Sequence, residues 1–433
     1  MKVLHLSTVD HGGAGTAALR LHRNLLGLGL DSRMLVLESR SQEPHIYPIA
    51  GLSRTFPLTR LASKVYAKLA TRSDYCYHLQ GVSIGISARE LLNRTGFNPD
   101  VIVVHATSHF IAPSDVLDFH RISAAPVVWH LLDMATLTGG CHYAWDCNGF
   151  EHQCESCPAL RWAPGGLAPE RIWREKHRLM ESLPTAVVAA SSHLYAQAHR
   201  SSLFKDKKIE KILLGVDPKV FKPGPKDAAR RSLGFPLDKK ILFFGAQSLK
   251  ERRKGMSYMF AALEKLAASH SVRMQDILLV TAGHQSALAP LDVMGFSHQH
   301  LGFLHGEARL ALAYRAADVF ISSSVEESGP MMINESMMSG TPVVAFEMGV
   351  ASDLIVPGLT GEIAKLYDTS ALAEGVGRIL NASDDVRLSM SKSARAYALS
   401  LCDPVVQAAS FSRLFATLLS GRSEIENVGH ITP

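Results

Sequence analysis

Four of the six cysteines in this 433-residue chain, Cys141, Cys147, Cys154 and Cys157, crowd into one short stretch. Disulfides, a metal ion and a reactive thiol are the chemistries such a cluster serves. The opening MKVLHLSTVDHGG reads as a strand and a turn, without the apolar core and cleavage site of a signal peptide. No apolar run approaches the ~20 residues that cross a bilayer. The expectation is a cytoplasmic protein with reduced thiols, in which clustered cysteines point to metal. The spacing Cys-x5-Cys-x6-Cys-x2-Cys ends in a pair that can grip one ion, and two more thiolates complete a closed, structural zinc site. His142 or His152 can replace a cysteine, and an iron–sulfur cluster also takes four cysteines. No local base favours a nucleophilic thiol. Cys76 and Cys402 look incidental.

Three loops carry other chemistry. HGGAGTAA, residues 11–18, follows a strand and opens a helix. Its glycines, Gly12 and Gly13 among them, let backbone approach a ligand, and a helix start offers free N–H groups to an anion. Gly13-x-Gly15-x-x-Ala18 fits the dinucleotide fingerprint, with Glu38 placed where a ribose-binding acid would sit. This keeps a nicotinamide-dependent oxidoreductase as a rival reading. The second loop, SLKERRKGMSYM (248–259), gathers Arg252, Arg253 and Lys254 at a helix start, where cations can hold a diphosphate. The third, SSSVEESGPMMINESMMSGTPVVAF (322–346), places Glu327 in a loop and Glu335 eight residues on, along the helix that follows. Carboxylates accept hydrogen bonds from sugar hydroxyls. The N–H groups of Gly329, Met331 and Met332 would take phosphate oxygens, with Ser328 beside them at the donor.

Something must position these loops. Short apolar strands alternate with amphipathic helices along the chain, in one series from KVLHLS to KILL (211–214) and another from KILFFGA (240–246) to PVVAF (342–346). Strands separated by helices make parallel sheets. The reading is α/β, with two doubly wound, Rossmann-like domains joined near VDPKVFKPGPKD (216–227). The first spans 1–210 and carries the cysteine-rich loop 139–160. The second spans 211–400. A helical tail, 401–433, presents Phe411, Leu414, Phe415 and Leu418 on one side. Ligands of such sheets lie beyond the carboxyl ends of the strands, so the chemistry should sit where the two domains face each other.

Here a resemblance enters. Glu327-x7-Glu335 followed by Ser-Gly-Thr-Pro-Val-Val resembles the signature of the retaining glycosyltransferase family 4 (group 1 glycosyltransferases, GT-B fold). HLSTVDHGGAGTAALRLHRNLLGLGLDSRMLV, GVDPKVFKP, RRKG, LGFLHGEARLALAYRAADVFISSSVEES and DLIVPGLTGEIA resemble other stretches of that family. The resemblance implies a nucleotide-sugar donor, UDP- or GDP-linked, and transfer with retention and no catalytic metal. It implies that Glu335 binds the ribose, Glu327 the donor sugar, Arg253 and Lys254 the diphosphate, and Gly12 and Gly13 the phosphates. It also implies that the tail helix returns to the first domain. A subgroup active in polysaccharide and lipid-linked glycan assembly carries a similar cysteine loop, so a glycan or lipid-linked glycan is the implied acceptor. The chain departs from the pattern at Leu132, where relatives often carry histidine before Asp133, and at Ala246, a common arginine position. Either His130, two residues earlier on the same strand, takes the polar role beside Asp133, or it is a core histidine. His105 is placed on the acceptor side. A protein that kept the fold but lost catalysis is the third reading.

A net charge of +5 points to no nucleic-acid partner. In LTRLASKVYAKLATR (58–72), Arg60, Lys64, Lys68 and Arg72 form a basic stripe beside Leu61, Val65 and Leu69. The preferred reading docks the apolar stripe on the core. The sharper one leans the helix on an anionic membrane face.

Overall fold

The computed structural model describes residues 1–49, 51, 56–81, 83–163, 168–284, 295–329 and 331–428. The chain divides into two compact units, Met1–Leu213 with Gln407–Pro433, and Leu214–Val406.

Unit 1 holds β1 (Lys2–Val9), β2 (Asp31–Glu38), β3 (Ile46–Pro48), β4 (Val101–Val104), β5 (Val127–Leu131), β6 (Thr185–Ala189) and β7 (Lys208–Lys211). They form one sheet in the order β3-β2-β1-β4-β5-β6-β7, all pairs parallel. The runs VIVV and TAVVA are apolar at successive positions because both faces of a parallel sheet are covered. Alternate residues serve alternate faces. Leu4, Leu6, Ile102, Val104, Val127 and Trp129 join one core cluster. Val3, Val101, Val103, Val128, Ala186 and Val188 join another, against Leu21 and Leu25 of the helix Gly12–Gly27. Ala408, Phe411, Leu414 and Phe415, from the helix Pro404–Val428, complete this second face. The tail thus returns to the first sheet.

Unit 2 holds β8 (Lys240–Ser248), β9 (Ile277–His284), β10 (Ser297–His300), β11 (Val319–Ser322), β12 (Val343–Phe346) and β13 (Gly361–Ala364). Their order is β10-β9-β8-β11-β12-β13, again parallel throughout. Phe243, Tyr314 and Phe320 pack edge to face or tilted at its centre, 5.3 to 5.6 Å between rings.

One expectation is overturned. In the helix Phe56–Ala70 the buried residues, among those whose side chains are described, are Ser63, Tyr66 and Ala70. Leu58, Leu61, Val65 and Leu69 face solvent, at 72, 60, 49 and 57% exposure. The apolar stripe does not dock on the core. The helix is anchored instead through its tyrosine, whose ring meets Trp162 edge-on at 5.4 Å, and through its small residues. The side chain of Arg60 lies outside the described residues, while Lys64, Lys68 and Arg72 are exposed.

Candidate functional site

In unit 2 the sheet reverses its strand order between β8 and β11, so their carboxyl ends splay two loops apart from one point. The first loop contains a single 3-10 turn, Arg252–Lys254, then Gly255, then the helix Met256–Ala268. The second runs from Ser323 towards the helix Met331–Met338. The two loops clasp each other. Val325 N donates to Arg253 O at 2.8 Å, and Ser323 Oγ donates to Lys254 O at 3.2 Å. Gly255 has φ of +69°, and a Cβ there would fall 1.8 Å from the Ser323 carbonyl oxygen. Only glycine fits.

The clasp delivers Arg253 and Lys254 to Glu327. Arg253 Nη1 lies 2.8 Å from Glu327 Oε1, and Lys254 Nζ meets the same oxygen. Ser324 Oγ donates to it at 3.4 Å. Burial would raise the Glu327 carboxyl, but Lys254 and Arg253 outweigh it and hold the group below its ordinary value. Glu251 flanks Arg253 at 2.7 Å. One guanidinium and one ammonium group are therefore fixed beyond a strand terminus rather than left in solvent. Ser328 is buried, and Gly329 and Met331 are half-buried, just ahead of or at the helix start. Glu335 is 3% exposed, with Tyr314 Oη donating to its Oε2 at 3.3 Å. Asn334, beside it, ties the helix to the Leu214 carbonyl at 3.1 Å. Ala246, in place of the arginine that the resemblance led one to expect, is buried in β8, and Arg253 reaches in from beyond the strand.

Unit 1 reverses its strand order between β1 and β4. The helix there begins at Gly12, the first glycine of the loop. Gly15 does the packing, since a Cβ would stand 2.7 Å from Val9 O, while Gly13 has open space around it and both Gly12 and Gly13 are exposed. His11 gives this helix start no side-chain cap. Asp10, buried before it, accepts from Arg40 N and Ser41 N at 3.0 Å and so ties the loop to the end of β2.

A row of histidines crosses the same sheet. His5 Nδ1 is 2.9 Å from His105 Nε2, and His105 Nδ1 is 3.1 Å from His130 Nδ1. Ser32 Oγ links His5 Nε2 (3.0 Å) to His22 Nδ1 (2.7 Å). The parity of β1, β4 and β5 puts His5, His130 and His105, one residue past β4, on the face covered by the tail helix, and Phe411 packs edge-on to His130 at 5.2 Å. Burial drives His5 and His105 well below the imidazole range, His130 to about 3 and His22 to about 4. They are neutral hydrogen-bonding groups at neutral pH. His105 and His130 border a cavity of ≈ 30 Å³, with Ser108, Leu132, Asp133 and Lys176. Asp133, read beside His130, instead holds His142 Nδ1 at 2.7 Å and accepts from Ala135 N at 2.8 Å.

Sequence reasoning missed Lys176. Its Nζ donates to the Ala135 and Thr138 carbonyls at 2.7 Å each, and burial pulls it down to about 7. The signal was present: in PERIWREKHRLMES the lysine sits within the apolar stripe Ile172, Trp173, Leu179, Met180.

The four clustered cysteines line one cavity of ≈ 20 Å³. Cys141 Sγ and Cys157 Sγ are 4.0 Å apart. A tetrahedral ion with ~2.3 Å bonds sets its sulfurs ~3.8 Å apart. Gly139 N donates to Cys154 Sγ at 3.3 Å, and Gly149 N to Cys147 Sγ at 3.4 Å. Burial nevertheless pushes the Cys154 thiol up to about 11, and among the described residues no three of these four sulfurs lie within 4.8 Å of one another, so their arrangement is not that of a closed four-thiolate site. His152 is exposed.

Residues 225–397, which contain the Arg253–Lys254–Glu327 constellation and Glu335, match the family described as glycosyl transferases group 1. The D-inositol 3-phosphate glycosyltransferase of Mycolicibacterium paratuberculosis (strain ATCC BAA-968 / K-10) is 30% identical over 201 residues, 44% of this chain and 43% of that protein. The phosphatidyl-myo-inositol mannosyltransferase of Mycobacterium leprae (strain TN) is 29% identical over 203 residues, 46% of this chain and 52% of that one. The chain thus spans about half the length of the curated relatives it matches. Among solved structures, Anabaena Alr3699/HepE in complex with UDP and glucose aligns with a TM-score of 0.66 at 16% identity, over 96% of this chain and 100% of its own. WaaG, a glycosyltransferase involved in lipopolysaccharide biosynthesis, aligns with a TM-score of 0.65 at 14% identity, over 95 and 99%. Over residues 225–397 the chain therefore carries a domain of the glycosyl transferases group 1 family, within the paired parallel-sheet architecture of the GT-B fold.

Proposed function

We propose that this chain is a retaining glycosyltransferase that moves a sugar from a UDP- or GDP-sugar to a glycan or lipid-linked glycan in cell-surface polysaccharide assembly. The observation that carries the reading is the convergence of Arg253 and Lys254 on buried Glu327 at the strand-order reversal of unit 2. The leaving group of such a transfer is a nucleoside diphosphate. Its developing charge needs cations fixed in advance, which is electrostatic catalysis. Arg253 and Lys254 supply them. The N–H groups of Ser328, Gly329 and Met331 assist, and Gly12 and Gly13 offer uncapped N–H groups to the donor's phosphates. Glu327 contacts the donor sugar and Glu335 the ribose hydroxyls. His105, with His130 and Asp133 beside the ≈ 30 Å³ cavity, serves the acceptor side. A structural zinc in the Cys141–Cys147–Cys154–Cys157 cavity would fix the loop that leaves β5.

The exposed stripe Leu58–Leu61–Val65–Leu69, flanked by Lys64 and Lys68, favours peripheral contact with an anionic membrane face, where a lipid-linked acceptor would be found. Among the described residues no helix is long and apolar enough to cross a membrane.

The test is a thermal-shift panel with UDP, GDP, ADP, their common sugar conjugates and NAD, followed by transfer assays with glycans and phosphorylated polyols. Stabilisation by one nucleoside diphosphate and its sugar conjugate, lost in Glu335→Ala, supports the reading and names the base. Stabilisation by NAD alone overturns it. Donor binding without transfer to any acceptor, or donor hydrolysis, would make the chain a binding protein that kept the fold.

A further inference from the structure

A second cluster of ligating side chains stands beside the four-cysteine cavity. Cys76, His78 and His142 each offer one ligand atom, and these atoms lie within 4.8 Å of one another. One antiparallel contact makes the cluster. Tyr77 pairs with Cys141, His142 N donates to Cys76 O at 2.9 Å, and His78 N donates to Gly140 O at 3.1 Å. Side chains alternate on paired extended segments. Tyr77 and Cys141 therefore join the apolar cluster that includes Cys157, while Cys76, His78 and His142 project from the other side of the same ribbon. The His78 and His142 rings meet edge-on at 4.4 Å.

His142 shows what the cluster lacks. It is 8% exposed, and its Nδ1 is taken by Asp133 Oδ2 at 2.7 Å. Its Nε2 is buried and has no hydrogen-bond partner. An imidazole that donates Nδ1–H to a carboxylate directs the Nε2 lone pair away from it, and metal-binding histidines are oriented in this way. A buried nitrogen lone pair, a second imidazole and a thiol within reach of one point constitute a borderline-soft donor set, suited to zinc before magnesium or calcium.

We propose that Cys76, His78 and His142 bind one divalent transition-metal ion, with Asp133 as the positioning residue that orients His142. Three protein ligands leave a fourth position for water or an exogenous oxygen, unlike a closed four-ligand structural site. The ion would join two segments some sixty residues apart in sequence at the edge of the cavity that His105 and Asp133 line. The proposal does not rest on the glycosyltransferase reading, and its test needs no turnover.

Full-length protein is stripped with chelator and reloaded with Zn²⁺ for elemental analysis, or with Co²⁺ as a spectroscopic substitute. The double variant Cys76→Ser/His78→Gln should bind one ion fewer per chain than the wild type, whatever the four-cysteine cavity holds. The Co²⁺ spectrum should lose a contribution from a mixed thiolate–imidazole site. Asp133→Asn should keep the ion and weaken its binding roughly 10–100-fold, as loss of an orienting partner does. Equal metal content and identical Co²⁺ spectra in wild type and double variant would overturn the proposal. Should the double variant fail to fold by far-UV circular dichroism, the Asp133→Asn titration decides, and an unchanged affinity for each bound ion overturns it.

Discussion

The two sheets reverse strand order at equivalent places, β1 beside β4 and β8 beside β11, yet the side chains gathered there differ in kind. In unit 2 the reversal collects charge: Arg253, Lys254 and Glu327, locked by a clasp between two loops. Unit 1 has neutral imidazoles instead, His5 within β1, His105 one residue past β4 and His130 in β5, hydrogen-bonded in a row beneath a helix. The same topology exposes strand ends in both, so topology chooses the location and the local sequence chooses the electrostatics. A charged nest suits an ionic ligand. A buried row held neutral at neutral pH suits uncharged hydroxyl groups.

The sharpest way to break this contrast is Glu327→Ala. It leaves two cations packed without their carboxylate, and removing one partner of a buried pair costs about 3–5 kcal/mol. Urea unfolding should show that loss, and Glu327→Gln should soften it. An unchanged midpoint would mean that the charges are solvated and the contrast is empty.

The histidine row makes the opposite prediction about pH. These groups have folded-state values below their unfolded value near 6.5, so the unfolded chain binds more protons on acidification. The stability they contribute is complete above about pH 6.5 and is lost as pH falls towards about 4 for His22 and about 3 for His130. His22 and His130 should each cost about 1 kcal/mol between pH 7 and 5.5. The melting temperature should fall over that interval, and less steeply in His130→Phe. A flat profile removes the neutral row from the argument.

Gly255→Ala places a methyl 1.8 Å from the Ser323 carbonyl oxygen, on top of the about 1–2 kcal/mol that a left-handed conformation costs an L-residue, so the clasp must open. Donor affinity should fall with stability, since the same clasp aims Arg253 and Lys254. Smallest is Leu61→Glu with Leu69→Glu. Both side chains are exposed, so each change should stay within about 0.5 kcal/mol. Flotation with anionic vesicles should nevertheless weaken, and unchanged flotation would remove the membrane reading while leaving the charged nest intact.

Much of this architecture is legible in the sequence because parallel strands covered on both faces leave unbroken apolar runs, such as VIVV and TAVVA. The glutamate loop was legible for a related reason: Glu327, Ser328, Gly329 and Glu335 lie close together in the chain. Periodicity misled at Leu61, Val65 and Leu69, because apolar spacing reports that a face exists and not what covers it. The anchoring face used Ser63, Tyr66 and Ala70, which carry little hydrophobic signal. Lys176 hid because a lysine inside an apolar stripe looks like an error until the carbonyls of Ala135 and Thr138 are in view. Cys76 and His78 gained meaning only from the bridge between Tyr77 and Cys141, a pairing that no local pattern announces.

The helix that carries Phe411, Leu414 and Phe415 has a consequence for how the chain is made. Unit 1 begins at the first residue but lacks one covering of its sheet until residues beyond 407 have left the ribosome. Unit 2, continuous from Leu214 to Val406, can close its own core while that face of unit 1 still waits. The usual order of synthesis, in which the N-terminal domain finishes first, is inverted here. A nascent chain stalled within unit 2 would present Val3, Val103, Val128 and Val188 as an uncovered apolar surface, and chaperones should engage it there.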